Sequence, residues 1–402
     1  MMRNRAFAVL LVLSFVLTMV ACSNSQTSAP TVQTETQTAN TTTAAPVNNE
    51  PVYIAWYGPL SGMEKHYGDT EKVACELAMQ RVNDNGGILG RPLVIDYYDD
   101  KNDAKEAIIL ANKFVGDDKY VAAVGSLASA VTMPAAQILQ DAGIINYSPS
   151  ASHADYASIG DYIFRNTVTQ LIETANFADY FYNEMGKRTA AVIYVNDDWG
   201  VNVNDIFSRR FEELGGTMTG SESFLPAATS DFTPMLTKLK QGNPEAIYIV
   251  ATYQDGANIL KQIDQLDFET TRAISAACLK QETLDLTGEI ANGCFVMTLF
   301  DPAFDNEEFQ AVMGQYKDIT GNMGDQYFMC TYDVVGQIAQ AINHAGTTER
   351  KAVRDALATL EYKGVATTYN MNEIGEAMRP MFPMKVIDME FVNIYGQPWT
   401  DD

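Results

Sequence analysis

A chain of 402 residues is too long for one small domain and suits about two. It is 47% hydrophobic and only 19% charged, enough apolar material for an extensive core. A formal net charge of −24 argues against nucleic-acid binding, which needs basic patches, and otherwise reads as a solubility device.

The first 22 residues read as an export signal. Arg3 and Arg5 form a positive start, and Ala6 to Ala21 is apolar apart from Ser14 and Thr18. That run is short of the ~20 residues a membrane helix needs. It ends in Met19-Val20-Ala21-Cys22, which resembles the lipobox of bacterial lipoproteins. The resemblance implies that Cys22 is acylated and becomes the mature N-terminus. Met19 departs from the usual leucine, and an ordinary signal with an incidental cysteine is the other reading. Residues 23–50 are mostly Ser, Thr, Gln, Ala and Asn. Such a segment buries too little surface to offset its ordering entropy, so it reads as a disordered tether.

From residue 52 strand and helix patterns alternate. Val52–Trp56 is a strand. Thr70–Asn83 is a helix with Val73, Ala74, Leu77, Ala78 and Val82 on one face, stopped at Gly86-Gly87. Leu93–Tyr97 is a strand, and Asp103 with Glu106 starts a helix through Val115. Tyr120–Val124, Val131–Asp141 and Ile144–Tyr147 continue as strand, helix and strand. The rhythm restarts near 165–170 with a helix over Leu171–Asn183. Then come strand Thr189–Tyr194, helix Val201–Leu214, strand Ala246–Ala251, helix Gly256–Leu266 and strand Ala273–Ala276. This βαβα order predicts an α/β fold of two doubly wound parallel-sheet lobes.

Strand Cys294–Leu299 reads as a return crossing. Helices Glu307–Thr320, Tyr327–Ala345 and Thr348–Leu360 follow, then strand-like Gly364–Thr368 and Met384–Ile394. The expected lobes are 51–168 plus 299–372, and 169–298 plus 373–402, joined by a hinge of several crossings. A cleft between such lobes, at strand C-terminal ends, is where small molecules bind. Cys75 and Cys330 lie in helical patterns and read as buried thiols; Cys278 and Cys294 flank one short segment, where a disulfide stays open. No CxxC occurs, and the three histidines are far apart, so neither metal nor cofactor is expected.

Several motifs are carried together: Tyr57-Gly58-Pro59-Leu60-Ser61-Gly62, Tyr67-Gly68-Asp69, and Val82 through Leu93 with its Asn85-Gly86-Gly87. Tyr98-Asp99-Asp100, Val124-Gly125-Ser126, Pro134, Ala142-Gly143-Ile144-Ile145 and Ser148-Pro149-Ser150-Ala151-Ser152 add to them. Over residues 52–395 the chain resembles the periplasmic branched-chain amino-acid-binding proteins of ATP-driven uptake systems. The resemblance implies a type I periplasmic binding fold and capture of a small molecule for a membrane permease. It implies that Ser129, at a helix start, and Ser150, Ala151 and Ser152 in the next loop hold a ligand carboxylate. Neutral donors and a helix N-terminus suit an anion; plain capping is the other reading of those serines. Tyr67, Trp199, Tyr253 and Tyr327 fall near aromatic positions of the family's cleft. The acid that meets the ligand ammonium in amino-acid-binding members has no counterpart in Ser275-Ala276-Ala277-Cys278. Gln281, Glu282, Asp255 and Asp198 are the nearest substitutes, or else solvated surface groups. The family's frequent disulfide is also missing, with Lys101, Asn102 and Ala128 in its place.

Three function classes compete. Export signal, tether and two lobes point to a solute receptor anchored by lipid at the periplasmic or extracellular face of a membrane. A ligand-sensing receptor module for a separate signalling partner has the same fold requirements. An enzyme is not expected: there is no GxSxG, P-loop or plausible Ser/His/Asp set.

Overall fold

The computed structural model describes residues 50–226 and 228–398; the predicted signal, Cys22 and most of the tether lie outside them. The first five strands are β1 (Val52–Gly58), β2 (Leu93–Asp99), β3 (Tyr120–Val124), β4 (Ile145–Ser148) and β5 (Ile163–Arg165). They form an all-parallel sheet in the order β2-β1-β3-β4-β5. Successive β1 side chains point to opposite faces. Val52, Ile54 and Trp56 join one apolar cluster, while Ala55 and Tyr57 join another. Helix α1 (Lys65–Asp84) covers the first face; α2 (Ala104–Val115) and α3 (Ser129–Asp141) cover the second. Burial on both faces is the usual state of a parallel sheet. Asp103 caps α2, its carboxylate accepting from the Lys105 and Glu106 amides at 2.7 and 3.3 Å.

The second unit repeats this plan with β6 (Thr189–Val195), β7 (Thr217–Phe224), β8 (Ala246–Val250), β9 (Thr271–Ile274) and β10 (Phe295–Thr298). These are parallel, in the order β7-β6-β8-β9-β10. Helices α4 (Gln170–Asp179), α5 (Asp198–Glu213), α6 (Thr233–Gln241), α7 (Tyr253–Gln265) and α8 (Gln281–Thr287) accompany them. Tyr248 of β8 packs with its ring 5.1 Å from those of Phe177 on α4 and Phe207 on α5. On the other face Phe224 and Phe232 meet at 5.1 Å.

The chain then returns. Helices α9 (Glu307–Thr320), α10 (Gln326–Ala345) and α11 (Arg350–Ala358) come next, with α10 lying along α1. Strands β11 (Glu361–Lys363) and β12 (Thr368–Asn370) make a small hairpin. Finally β13 (Phe382–Ile387) and β14 (Glu390–Asn393) extend the second sheet antiparallel beyond β10. Three segments cross between the sheets: 166–169, 299–306 and 371–381. The third is tied to the end of β5, where the first begins. The Arg165 amide donates to Gly375 O and the Ala377 amide to Arg165 O, both at 2.9 Å. The Arg165 guanidinium, fully buried, pairs with Glu376.

Several expectations need correction. Of the strand expected over Gly364–Thr368, residues 364–367 are the turn of the β11-β12 hairpin, closed by Gly364 N donating to Thr367 O at 3.0 Å, and Thr368 opens β12. The single strand expected over 384–394 is broken at Asp388 and Met389, both with positive φ, into β13 and β14. Strand β7, α6 and α8 were not foreseen. β7 is a mostly polar edge strand, so it lacks the apolar alternation that marks a strand from sequence. Cys278 and Cys294 are buried and unpaired, and the Cys278 thiol donates instead to Ala251 O at 3.2 Å. Cys75 and Cys330 are likewise buried free thiols.

Candidate functional site

The five parallel strands of each sheet share one order, and in each the order reverses beside its first strand. Crevices at such switch points, beyond the strand C-termini, are where α/β sheets take ligands. A cavity of about 150 Å³ lies there, walled by loops from both sheets. From the first sheet come Glu64 and Tyr67 after β1, Asn102 after β2, Leu127 to Ser129 after β3, and Ser150 and Ser152 after β4. From the second come Asp197 and Trp199 after β6, Thr252 and Asp255 after β8, and Ala276 and Ala277 after β9. Thr167 of the first crossing, Gln170, Glu173 and Thr174 of α4, Tyr248 of β8, and Gln326 and Tyr327 of α10 add to the wall.

Two glycines let these loops approach. Gly125 has φ +131°, and a Cβ there would stand 2.0 Å from Tyr57 O, so the β3 loop passes directly over the end of β1. A Cβ on Gly200 would stand 2.0 Å from Val195 O; its absence seats the first turn of α5, and with it Trp199, against the end of β6.

Helix α3 opens at Ser129 with no side-chain cap, leaving its first amides directed at the cavity end. The Ser129 hydroxyl accepts from His153 N at 3.2 Å, which leaves its hydrogen free to donate. Ser152, 8% exposed, stands beside it on the wall. Ser150 is differently employed. Its hydroxyl lies 3.2 Å from each of Glu71 Oε1, Ser126 O and Leu127 O, so its single hydrogen is already claimed.

Tyr67 is 1% exposed and stitches the sheets together. Its hydroxyl donates to Ala277 O at 2.8 Å and accepts from Tyr253 N at 3.1 Å. Its ring meets that of Tyr327 at 4.8 Å, and the Lys280 ammonium sits 4.6 Å from the Tyr67 centroid. Lys280 in turn pairs with Asp325 at 2.6 Å.

Of the nine cleft residues named from sequence, the cavity wall brings together Ser129, Ser150, Ser152, Tyr67, Trp199 and Tyr327. It does not include the other three. Tyr253 stands behind Tyr67, ring to ring at 5.8 Å, because α7 begins at this residue and turns its side chain inward. Ala151 is fully buried, with its amide spent on Ser148 Oγ at 2.9 Å. Gln281 donates to Asp285 at 3.0 Å, one helical turn along α8. Among the proposed cation partners, Asp255 is on the wall, Asp198 is exposed beside it, and Glu282 bonds His66 at 3.1 Å.

Sequence reasoning missed Glu64, Gln170, Glu173 and Asp197. Burial, then the nearby Asp255 carboxylate, raises Glu64 to about 7. Burial alone raises Glu173 to about 8. Asp197 and Asp255 are also pushed up, chiefly by burial. A signal existed for part of this set. Gln170, Glu173 and Thr174 recur at helical spacing, a polar stripe on α4 that continues into the buried Phe177.

The periplasmic binding protein family model matches residues 51–390. A Leu/Ile/Val-binding protein homolog of Brucella abortus is 26% identical over 329 residues, covering 81% of this chain and 87% of its own. Among solved structures, a leucine-binding protein from Thermotoga maritima matches with TM-score 0.79 at 22% identity, over 86% of this chain and 100% of its own. A solute-binding protein from Rhodopseudomonas palustris in complex with benzoate matches with TM-score 0.80 at 16% identity, over 86% and 95%. At those identities the two structures speak for the fold alone. With the family model spanning nearly all the described residues, and the cleft lying where the two sheets' strand orders reverse, the chain belongs to the periplasmic binding protein family, in its type I architecture.

Proposed function

We propose that this protein is an exported solute receptor of an ATP-driven uptake system. It captures an amino acid or a related small carboxylate between its lobes and delivers it unchanged to a membrane permease. The observation that carries this reading is the cavity end formed by the uncapped α3 N-terminus with the Ser129 and Ser152 hydroxyls. Neutral donors and a helix N-terminus stabilise an anion without burying a counter-charge. The curated relative's name, Leu/Ile/Val-binding, supports an amino-acid-like solute. Tyr67, Trp199 and Tyr327 would wall in its remaining part. Closure of the two lobes excludes water and strengthens each polar contact, so the solute itself holds the closed form. We place the lipid anchor at Cys22.

Three experiments test this. A thermal-shift screen of the full-length protein against L-amino acids, their deaminated acids and amides identifies a binding compound. Calorimetry then compares wild type with Ser129→Ala/Ser152→Ala. Hydrogen bonds to a charged group are worth about 1.5–3 kcal/mol each, so carboxylate affinity should fall by at least about 100-fold. Unchanged affinity would reject the site. For the anchor, Cys22→Ser should shift the protein from the membrane fraction to the soluble one; membrane retention would remove lipidation from the proposal.

A further inference from the structure

The cavity is unbalanced in charge. Glu64, Glu173, Asp197 and Asp255 all line it, and among the described residues no Lys, Arg or His does. Lys280 stands nearby, but Asp325 neutralises it. Two further acceptors on the wall lack partners. Gln170 is 1% exposed; its amide nitrogen is used on Asn202, while its Oε1 meets nothing. Glu64 Oε2 is equally buried and unpaired. Glu173 is the most telling of the set. Its carboxylate faces the cavity from the first turn of α4 and makes no hydrogen bond or ion pair among the described residues. Glu173 is partly buried, whereas Gln170 Oε1 and Glu64 Oε2 are sealed from water, and such acceptors without donors cost free energy, so the site is built for a guest that brings donors of its own. Among the described residues no group of three or more His, Cys, Asp or Glu could hold a metal ion. Acceptors spread in this way suit an organic cation.

We infer that Glu173 is the counter-charge for an ammonium group of the solute, supplied from α4 in place of an acid after β9, so that the cleft takes amine-bearing carboxylates and discriminates against carboxylates that lack an amine. This rests on the carboxylate-capture reading above and narrows its substrate class. The carboxylate of the guest lies at Ser129 and Ser152, its amine turns to Glu173, and Gln170 Oε1 accepts a further hydrogen.

Burial raises Glu173 to about 8, which favours the protonated carboxyl at pH 7 before a guest arrives. The titratable groups around it are Tyr248 on β8 and Tyr327 on α10, with Asp197, Asp255 and Glu64 elsewhere on the wall. An arriving ammonium favours the ionised carboxylate, so binding at pH 7 should release a proton from Glu173.

The test titrates the full-length protein and Glu173→Gln with the common L-amino acids, with the same acids lacking their amine (4-methylpentanoate for leucine, for example), and with benzoate. At least one amino acid should bind ten times more tightly than its amine-free counterpart. Its binding enthalpy at pH 7 should differ between Tris and phosphate, reporting the released proton. Glu173→Gln should remove at least tenfold of that preference together with the buffer dependence, and keep or raise the melting temperature. If 4-methylpentanoate or benzoate binds as well as any amino acid, or if Glu173→Gln keeps the preference, this inference falls and carboxylate capture stands. If no member of the set binds, both fall.

Discussion

Glu71 shows how closely single residues in this site constrain one another. It lies on α1, fully buried, with one oxygen 3.2 Å from Ser150 Oγ and the other without a partner. Burial raises it to about 8, against the opposing effect of the Ser150 hydrogen bond. Its protonated form is therefore favoured in the folded state. The associated stability is complete below pH 4.5 and is lost as pH rises toward 8. Glu173, Glu64 and Asp100 are shifted in the same direction, to about 8, 7 and 6. The melting temperature of the full-length protein should thus fall between pH 5.5 and 8.5, as circular dichroism would follow. Glu71→Gln should flatten that slope and raise the melting point at pH 8; an unchanged slope would mean that Glu71 is not titrating there. The sequence placed Ser150 in the right loop but not its employment. Its partner is 79 residues away, and no local pattern records a pairing made by the packing of α1 over the sheet.

At the scale of elements, the join between the β9 loop and α10 is the critical one. Lys280, 3% exposed, meets Asp325, which also caps α10 by accepting from Phe328 N at 3.0 Å. Removing one partner of a buried pair strands the other charge, at a cost of about 3–5 kcal/mol. Lys280→Met should lower stability by an amount in that range and, by small-angle scattering, enlarge the radius of gyration as the loops separate. Lys280→Met/Asp325→Asn, which keeps a capping side chain, should recover most of the loss. A single variant as stable and compact as wild type would show that the pair holds nothing. Elements with strong periodicity were legible: β3 and α9 have the very bounds expected from sequence. Those that failed had weak patterns. β7 is polar throughout its exposed edge, and the hairpins near the C-terminus are set by short turns that a hydrophobic count averages away.

Across the whole molecule, one apolar cluster runs through residues of both sheets, from Val52 and Trp56 to Ile193, Ile249 and Val386. Shared burial of this kind couples the two halves, so calorimetry of the full-length protein should show one unfolding transition. Two resolved peaks would mean that the halves melt independently. The cleft was half legible for a related reason. Its serines and aromatics belong to contiguous motifs, whereas its carboxylates come from separate loops after β1, β5, β6 and β8 that only the folded chain assembles. Trp199 is partly buried on that wall, Trp56 is sealed at 0% exposure in the core, and Trp399 lies outside the described residues. Nature has thereby installed an optical gauge. When a guest displaces water from around the indole of Trp199, the emission of the protein should shift in colour while the contribution of Trp56 stays constant, and the filling of the cleft can be watched in real time without any added dye.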